Sequence, residues 1–245
     1  MGNKMRGVEL SARFALPPNS FSYCGTPAFR RAFAAYLREK SPANASKLQR
    51  ALSKFRAHYS YLELIAKANG KKPFDLEVAE ALWIGSPLLL RVERREIAKI
   101  ITNEFSGRGL LSKEKAAKLA EGIPKGALPH HSFHVLYLHT ITGIVPPSLR
   151  TADMCRISWG KVVSVKGGRA VVDSQKLARK NGKLALVPCR KTVRATCAGI
   201  ELVPDIRKGD IVASHWGFAV MKLSKRQKAN LEKYTNRNLS SLASE

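Results

Sequence analysis

The sequence predicts an α+β protein: an N-terminal helical array over residues 1-150, then a small OB-like β-barrel over 151-245 that ends in a basic helix. Three observations carry this. Apolar residues recur at three- and four-residue spacing through the first part of the chain. Pro146-Pro147 interrupts that pattern. Beyond it, short strand-like runs are separated by glycines at Gly167-Gly168, Gly182, Gly209 and Gly217.

The helices follow in order. Thr26 is a good N-cap, and Pro27 suits a first helical position, where no N–H is needed. The run 28–40 then places Phe29, Phe33, Tyr36 and Leu37 on one face. A second helix is expected over 45–68, with Leu48, Leu52, Phe55, Tyr59 and Leu62 as its stripe and Asn69-Gly70 as its stop. Further helices are expected at 75–84, 92–105, 113–121 and 132–139. Pro17-Pro18-Asn19 and Tyr23-Cys24-Gly25 read as a fixed loop before the first helix, because proline fixes φ and glycine relaxes it. In the barrel, 157–165 is a strand, Gly167-Gly168 a turn and 169–173 the return. About five strands are expected, each shorter than about ten residues. A helix follows Ser224.

The balance of 43 Lys and Arg against 18 Asp and Glu gives a net charge of +25 over 245 residues. The excess is spread: +13 falls in residues 1–150 and +12 in 151–245, so it is not a tail. Such a field favours polyanions, either nucleic acid or an acidic protein surface. The basic clusters are Arg30-Arg31, Lys71-Lys72, Arg94-Arg95, Arg190-Lys191 and the last helix with Lys225, Arg226 and Lys228. The longest apolar runs, such as 81–90, are about half the length a membrane-spanning helix requires, and no secretory signal is visible. A cytoplasmic protein with reduced thiols is the expectation, since none of Cys24, Cys155, Cys189 and Cys197 forms a CxxC. There is no GxGxxG, Walker A or GxSxG motif, and no carboxylate pair stands out for acid–base work. The chain does not read as an enzyme.

Two segments of the second half are recognisable. Met154-Cys155-Arg156-Ile157-Ser158-Trp159-Gly160-Lys161-Val162 resembles the opening of the HypC/HupF family of [NiFe]-hydrogenase maturation chaperones, which begin on Met-Cys and reach Gly-Lys-Val at the same interval. Gly209-Asp210-Ile211-Val212, followed by His215-Trp216-Gly217-Phe218-Ala219-Val220, is similar to that family's Gly-Asp-x-Val-x-x-His-x-Gly-Phe-Ala pattern. The motifs stand in the family's order, and the resemblance covers roughly residues 153 to 235. In that family the cysteine is N-terminal once the initiator Met is removed. Here Cys155 is internal and offers a thiolate without a free α-amino group, and Trp159 stands where the family has proline. The resemblance implies a HypC-like barrel in which Cys155 holds an iron carrying cyanide and carbonyl ligands. It implies a HypD-like maturation protein or a hydrogenase large subunit as partner, and an accessory or chaperone role without turnover. The whole chain also resembles an uncharacterised helical-plus-HypC-like family (domain of unknown function 6390), through Ala12-Arg13-Phe14-Ala15-Leu16-Pro17-Pro18-Asn19, Tyr23-Cys24-Gly25 and His130-His131-Ser132-Phe133-His134.

A soft thiolate suits low-spin iron. His215 is expected either as a second ligand or as a hydrogen-bond partner of Cys155. A second cluster joins His130, His131 and His134, with His139 further along. On a helix, His130 and His134 share a face at i, i+4, and His131 and His134 are the i, i+3 alternative. A zincin would need Glu at 131, so peptidase chemistry is disfavoured. Cys24 is the candidate to complete that second metal site. The competing readings are a packed thiol at the barrel mouth and histidines that cap or fill a helix. A basic RNA- or ribosome-associated protein, using the barrel and the Lys/Arg surface, is the alternative function.

Overall fold

The computed structural model describes residues 2–107, 110–138 and 145–243; His139 lies outside them. Helices come first: α1 (Asn3–Ser20), α2 (Pro27–Arg38), α3 (Pro42–Lys54), α4 (Arg56–Ala68), α5 (Leu76–Trp83), α6 (Arg94–Lys99), α7 (Lys113–Glu121), the single turn α8 (His131–Phe133) and α9 (Leu149–Cys155). A 3₁₀ turn, Pro87–Arg91, precedes α6. Two helices change pitch at their ends: α6 runs on as a π-helix over Ile100–Ser106, and α8 over His134–Leu138. The strands are β1 (Ser158–Lys166), β2 (Arg169–Lys180), β3 (Lys183–Arg194), β4 (Thr196–Cys197), β5 (Ile200–Glu201), β6 (Ile211–His215) and β7 (Phe218–Lys222), and α10 (Lys225–Leu242) closes the chain. The mixed α+β class is as the sequence predicts.

α1 is central. Val8, Ala12, Phe14, Ala15 and Leu16 are all buried, as in a helix with core on every side. It packs on α2, α3 and α5 and on β6 and β7. Gly7 permits the approach, since a Cβ there would stand 2.2 Å from the Phe74 carbonyl oxygen. This helix corrects the expectation of a loop at Pro17-Pro18-Asn19. Both prolines lie in its last turn, where their φ is already helical and the loss is confined to the N–H groups that would have bonded the carbonyls of Arg13 and Phe14.

The helix expected over 45–68 is two helices. At Phe55 the backbone leaves the helical region (φ −81°, ψ 81°) and separates α3 from α4, and the Phe55 ring is buried. The stop at Asn69-Gly70 holds, with Gly70 at φ +62°.

Five strands pair in the ring β1-β2-β3-β7-β6 and close a barrel, while β4 and β5 form a separate pair. Closure depends on β1 pairing with both β2 and β6, and on one parallel contact, Arg194 with Phe218, between β3 and β7. Four turns have two residues at positive φ, the second always glycine: Gly167-Gly168, Asn181-Gly182, Ala198-Gly199 and Trp216-Gly217. Such turns match the twist of antiparallel strands. The limit of about ten residues per strand fails, because β2 and β3 have 12 residues each. Their outer halves, paired from Gln175–Pro188 to Lys180–Lys183, extend as an arm beyond the part of β2 that β1 covers. Leu177 on the arm packs with Leu136 and Leu239, which removes the need for a third strand.

One apolar core runs through both halves, from Val8 and Phe14 to Val220 and Tyr234. α10 starts with a capping box between Ser224 and Gln227. It then returns to the helices, where Asn238 accepts from the Leu128 N–H (2.8 Å) and donates to the Ser132 hydroxyl (2.9 Å).

Candidate metal centre

Cys155 sits at the C-terminal end of α9, one residue before Arg156 and ahead of the first strand. α9 is held by a buried ion pair. Arg156, 1% exposed, meets Asp153 at 2.9 Å and donates to the Gln175 carbonyl, while Asp153 also accepts from the Leu177 N–H (2.8 Å) and Lys191 (2.9 Å). The last turn of α9 therefore has a fixed place against β2 and β3.

His215 ends β6 and precedes the Trp216-Gly217 turn. Trp216 occupies the left-handed region at φ +51°, a strained conformation for a bulky residue. Its N–H bonds the Met154 carbonyl (2.9 Å) and its ring lies 4.6 Å from that of Tyr23, so the turn is clamped between α9 and the 21–25 loop. The two motifs, distant in sequence, are thus neighbours.

His131 opens α8 and projects toward the same place. One ring nitrogen of His131, the Cys155 Sγ and one ring nitrogen of His215 all lie within 4.8 Å of one another. Metal–nitrogen and metal–sulfur bonds of roughly 2.0 and 2.3 Å fit such a triangle after small rotations. The hydrogen bonds fix the lone pairs. A carbonyl can only accept, so His215 Nδ1, 2.7 Å from the Phe14 oxygen, carries the proton, as does His131 Nε2, 3.1 Å from the Cys155 oxygen. In each ring these bonds leave the lone pair on the other nitrogen, His215 Nε2 and His131 Nδ1. His215 is 2% exposed, and its Nε2 is a buried nitrogen with no hydrogen bond among the described residues. Metal-binding histidines commonly hold their second nitrogen on a carbonyl in this way.

Burial sets the protonation states. It pushes His215 down to about 3, helped by His131, and His131 down to about 4, so both rings are neutral near pH 7. Burial also raises the Cys155 thiol well above its ordinary value. Cys24 adds to that rise, and the Trp216 indole N–H opposes it. The thiol therefore keeps its proton until a cation displaces it. Two neutral imidazoles and one thiol suit a thiophilic transition metal, iron included.

Other residues surround the triad. The Trp83 ring stands 4.6 Å from His131 and 6.0 Å from His215, and stacks on Phe14 at 5.0 Å. His58 stacks on Trp83 at 5.3 Å, and neither of its nitrogens finds a hydrogen bond among the described residues. Burial takes it down to about 3. His58 is absent from the sequence-based candidates. Its signal was available: three residues after Phe55 and four before Leu62, it lies on the apolar stripe. His130 caps α8, its Nδ1 accepting from the Ser132 N–H (3.3 Å), and is taken by burial to about 3. His134 faces the Tyr61 hydroxyl (3.3 Å) and stacks at 6.5 Å on His131. The structure thus separates His131, which joins Cys155 and His215, from His130 and His134, which bond within the helical half.

Cys24 lies in the 21–25 loop and is half-buried. Cys189 lines a cleft beside Gly160 and Arg190, and Cys197 faces the Ser20 hydroxyl (3.3 Å). The basic residues do not share one element. Arg30 and Arg31 are on α2, Lys71 and Lys72 precede α5, Arg94 and Arg95 open α6, Arg190 and Lys191 are on β3, and Lys225, Arg226 and Lys228 open α10. Several have partners: Arg94 with the Glu121 carbonyl, Arg95 with Glu93, Lys71 with Glu77, Arg190 with Asp173, Lys191 with Asp153 and Lys228 with Glu232. No helix among the described residues is long and apolar enough to cross a membrane.

The profile of a family of unknown function (DUF6390) matches residues 3–245. No curated protein and no solved structure matches the chain.

Proposed function

The chain belongs to the DUF6390 family, whose function is not known, and we propose from the site itself that it is a metal-binding accessory protein of metallocentre assembly. His131, Cys155 and His215 hold the metal, and the reading rests on the convergence of their ligand atoms within 4.8 Å. Iron is the metal proposed. The resemblance of residues 154–162 and 209–220 to the HypC/HupF chaperones supports a role in [NiFe]-hydrogenase maturation, with an iron bearing cyanide and carbonyl as cargo. A HypD-like protein or a hydrogenase large subunit is the proposed partner, and an acidic face on it would complement the +25 charge. Binding and transfer, without turnover, take place in the cytoplasm on this reading.

The test is anaerobic purification from the native host, with and without nuclease, of the wild-type chain and Cys155→Ser. The expected result is about one iron per chain in the wild type, little in the variant, and nuclease-resistant recovery of maturation or hydrogenase proteins. Metal-free wild-type protein accompanied by nuclease-sensitive RNA would reject the proposal in favour of the polyanion-binding alternative.

A further inference from the structure

The outer halves of β2 and β3 leave the barrel. Ser174 is the last residue of β2 that β1 covers, and the two strands run on as a ribbon from the pair Gln175–Pro188 to the pair Lys180–Lys183. Six residue pairs, at about 3.3 Å each, make an arm of roughly 20 Å. From residue 174 to residue 200 the chain carries seven Lys and Arg and no Asp or Glu. We propose that this arm binds double-stranded DNA, lying in the major groove with its lysines on the phosphates.

The register sorts the arm's side chains onto two faces. One carries Leu177 opposite Leu186 and Arg179 opposite Leu184. This face is anchored, because Leu177 packs with Leu136 and Leu239. At the tip Arg179 donates to the Gly182 carbonyl (3.1 Å). At the base Arg156 donates to the Gln175 carbonyl, and Asp153 accepts from the Leu177 N–H (2.8 Å). The arm is thus ordered before a ligand arrives, and little entropy is lost when one binds. The other face carries Lys176, Ala178 and Lys180 opposite Val187, Ala185 and Lys183. Its three lysines are exposed, and none forms an ion pair with a described residue. Arg190 and Lys191, nearer the barrel, meet Asp173 and Asp153 instead.

The chemistry of that face selects its occupant. A protein interface is anchored by aromatic or arginine side chains, and this face has none. Between its lysines stand alanines, which let a phosphate backbone come close. Each lysine placed on a phosphate releases a counterion, and its flexible stem needs no fixed geometry to do so. Lys180 stands about 13 Å along the ribbon from Lys176 and about 5 Å across from Lys183, so the three reach separate phosphates. A two-stranded ribbon fits the major groove of B-form DNA, about 12 Å wide, whereas the major groove of an RNA duplex is too narrow. The face holds no Arg, Asn or Gln for a bidentate base contact, so the arm binds the backbone and not a sequence.

The test is fluorescence anisotropy of the full chain on a labelled DNA duplex of mixed sequence, over a series of salt concentrations. A chelator is present throughout, so the result does not depend on the metal centre. Wild-type affinity should fall steeply as salt rises. The variant Lys176→Gln, Lys180→Gln, Lys183→Gln should lose three phosphate contacts, and its slope of log affinity against log salt should be flatter by about 2.7. The control Lys47→Gln, Arg50→Gln, Lys54→Gln removes the same charge from α3 and should keep the wild-type slope. All six side chains are exposed, so both variants should fold as the wild type does. Equal slopes in the two variants would overturn the arm as the site, as would a wild type that binds no DNA at low salt. Tighter binding to an RNA duplex would overturn the groove placement. Tighter binding to polyglutamate would make the arm a dock for an acidic protein and reject DNA.

Discussion

The carbonyl oxygen of Phe14 lies 2.7 Å from Nδ1 of His215, across 201 positions of sequence. That oxygen is available because residue 18 is proline. In an α-helix the N–H of residue 18 would bond the carbonyl of residue 14, and proline has no N–H to give. The last turn of α1 thus offers an acceptor that holds the His215 proton on Nδ1 and leaves the lone pair on Nε2. The consecutive prolines do not break a helix here; they free a carbonyl for the site.

Restoring the missing donor tests that relationship. Pro18→Ala should keep α1 helical and add an N–H that competes for the Phe14 oxygen. Loss of such an outer hydrogen bond lowers metal affinity by about 10–100-fold. Cobalt titration should show a drop in that range at unchanged stoichiometry. Undiminished affinity would mean that His215 is oriented by packing alone.

Part of this centre was legible in the sequence and part was not. The pairing of Cys155 with His215 was visible, because each sits in a motif that reads along the chain, one running from the end of α9 into β1 and the other ending β6. The Gly-centred turns and α7 were visible for the same local reasons. His131 was seen as a ligand type but given to the wrong neighbours. Spacing along an α-helix groups 130 with 134, whereas the observed segment is one α-turn followed by a π-helix from His134, and partners on α9 and β6 are a matter of tertiary packing. The same holds for α1, where proline-based punctuation pointed to a loop. Trp83 and His58 are core residues by every local criterion, and their closeness to the triad exists only in three dimensions.

The pH dependence of stability follows from four imidazoles, three of them buried and His131 half-buried. His58, His130 and His215 titrate at about 3 and His131 at about 4, below the roughly 6.5 of an unfolded histidine. As pH falls below about 6.5 the unfolded chain takes up protons that the folded chain refuses, so folding loses stability. The loss continues until the folded rings protonate near pH 4 and 3. Each histidine contributes up to about 1.4 kcal/mol per pH unit inside that window. Urea denaturation of the metal-free protein should show a midpoint nearly level above pH 7 and falling steeply from pH 6 to 5. A level midpoint down to pH 5 would show that the rings are not buried and neutral.

The ion pair beneath Cys155 gives a prediction of size. Asp153→Ala leaves Arg156, 1% exposed, without its carboxylate partner. Breaking a buried pair from one side costs about 3–5 kcal/mol. The double variant Asp153→Ala, Arg156→Met removes the stranded charge and should recover a good part of that loss. Denaturant midpoints for the two variants decide it. A single variant within about 0.5 kcal/mol of wild type would mean that Lys191 and water carry the site.

Asn238 connects the last helix to the segment that carries His131. Its side chain accepts from the Leu128 N–H at 2.8 Å and donates to the Leu128 carbonyl at 3.1 Å and to the Ser132 hydroxyl at 2.9 Å. All of these groups lie in the interior, where a backbone N–H without a partner costs about 1–3 kcal/mol. Asn238→Leu keeps the volume and removes every one of these bonds. Stability should fall by roughly that amount, and residues 128–132 should lose hydrogen-exchange protection before the rest of α10 does. Because His131 rides on that segment, metal affinity should fall with it, while Asn236→Ala at an exposed position of the same helix should leave it unchanged. Equal exchange protection at 128–132 in wild type and Asn238→Leu would show that the histidine segment is held by its own packing and that α10 only covers it.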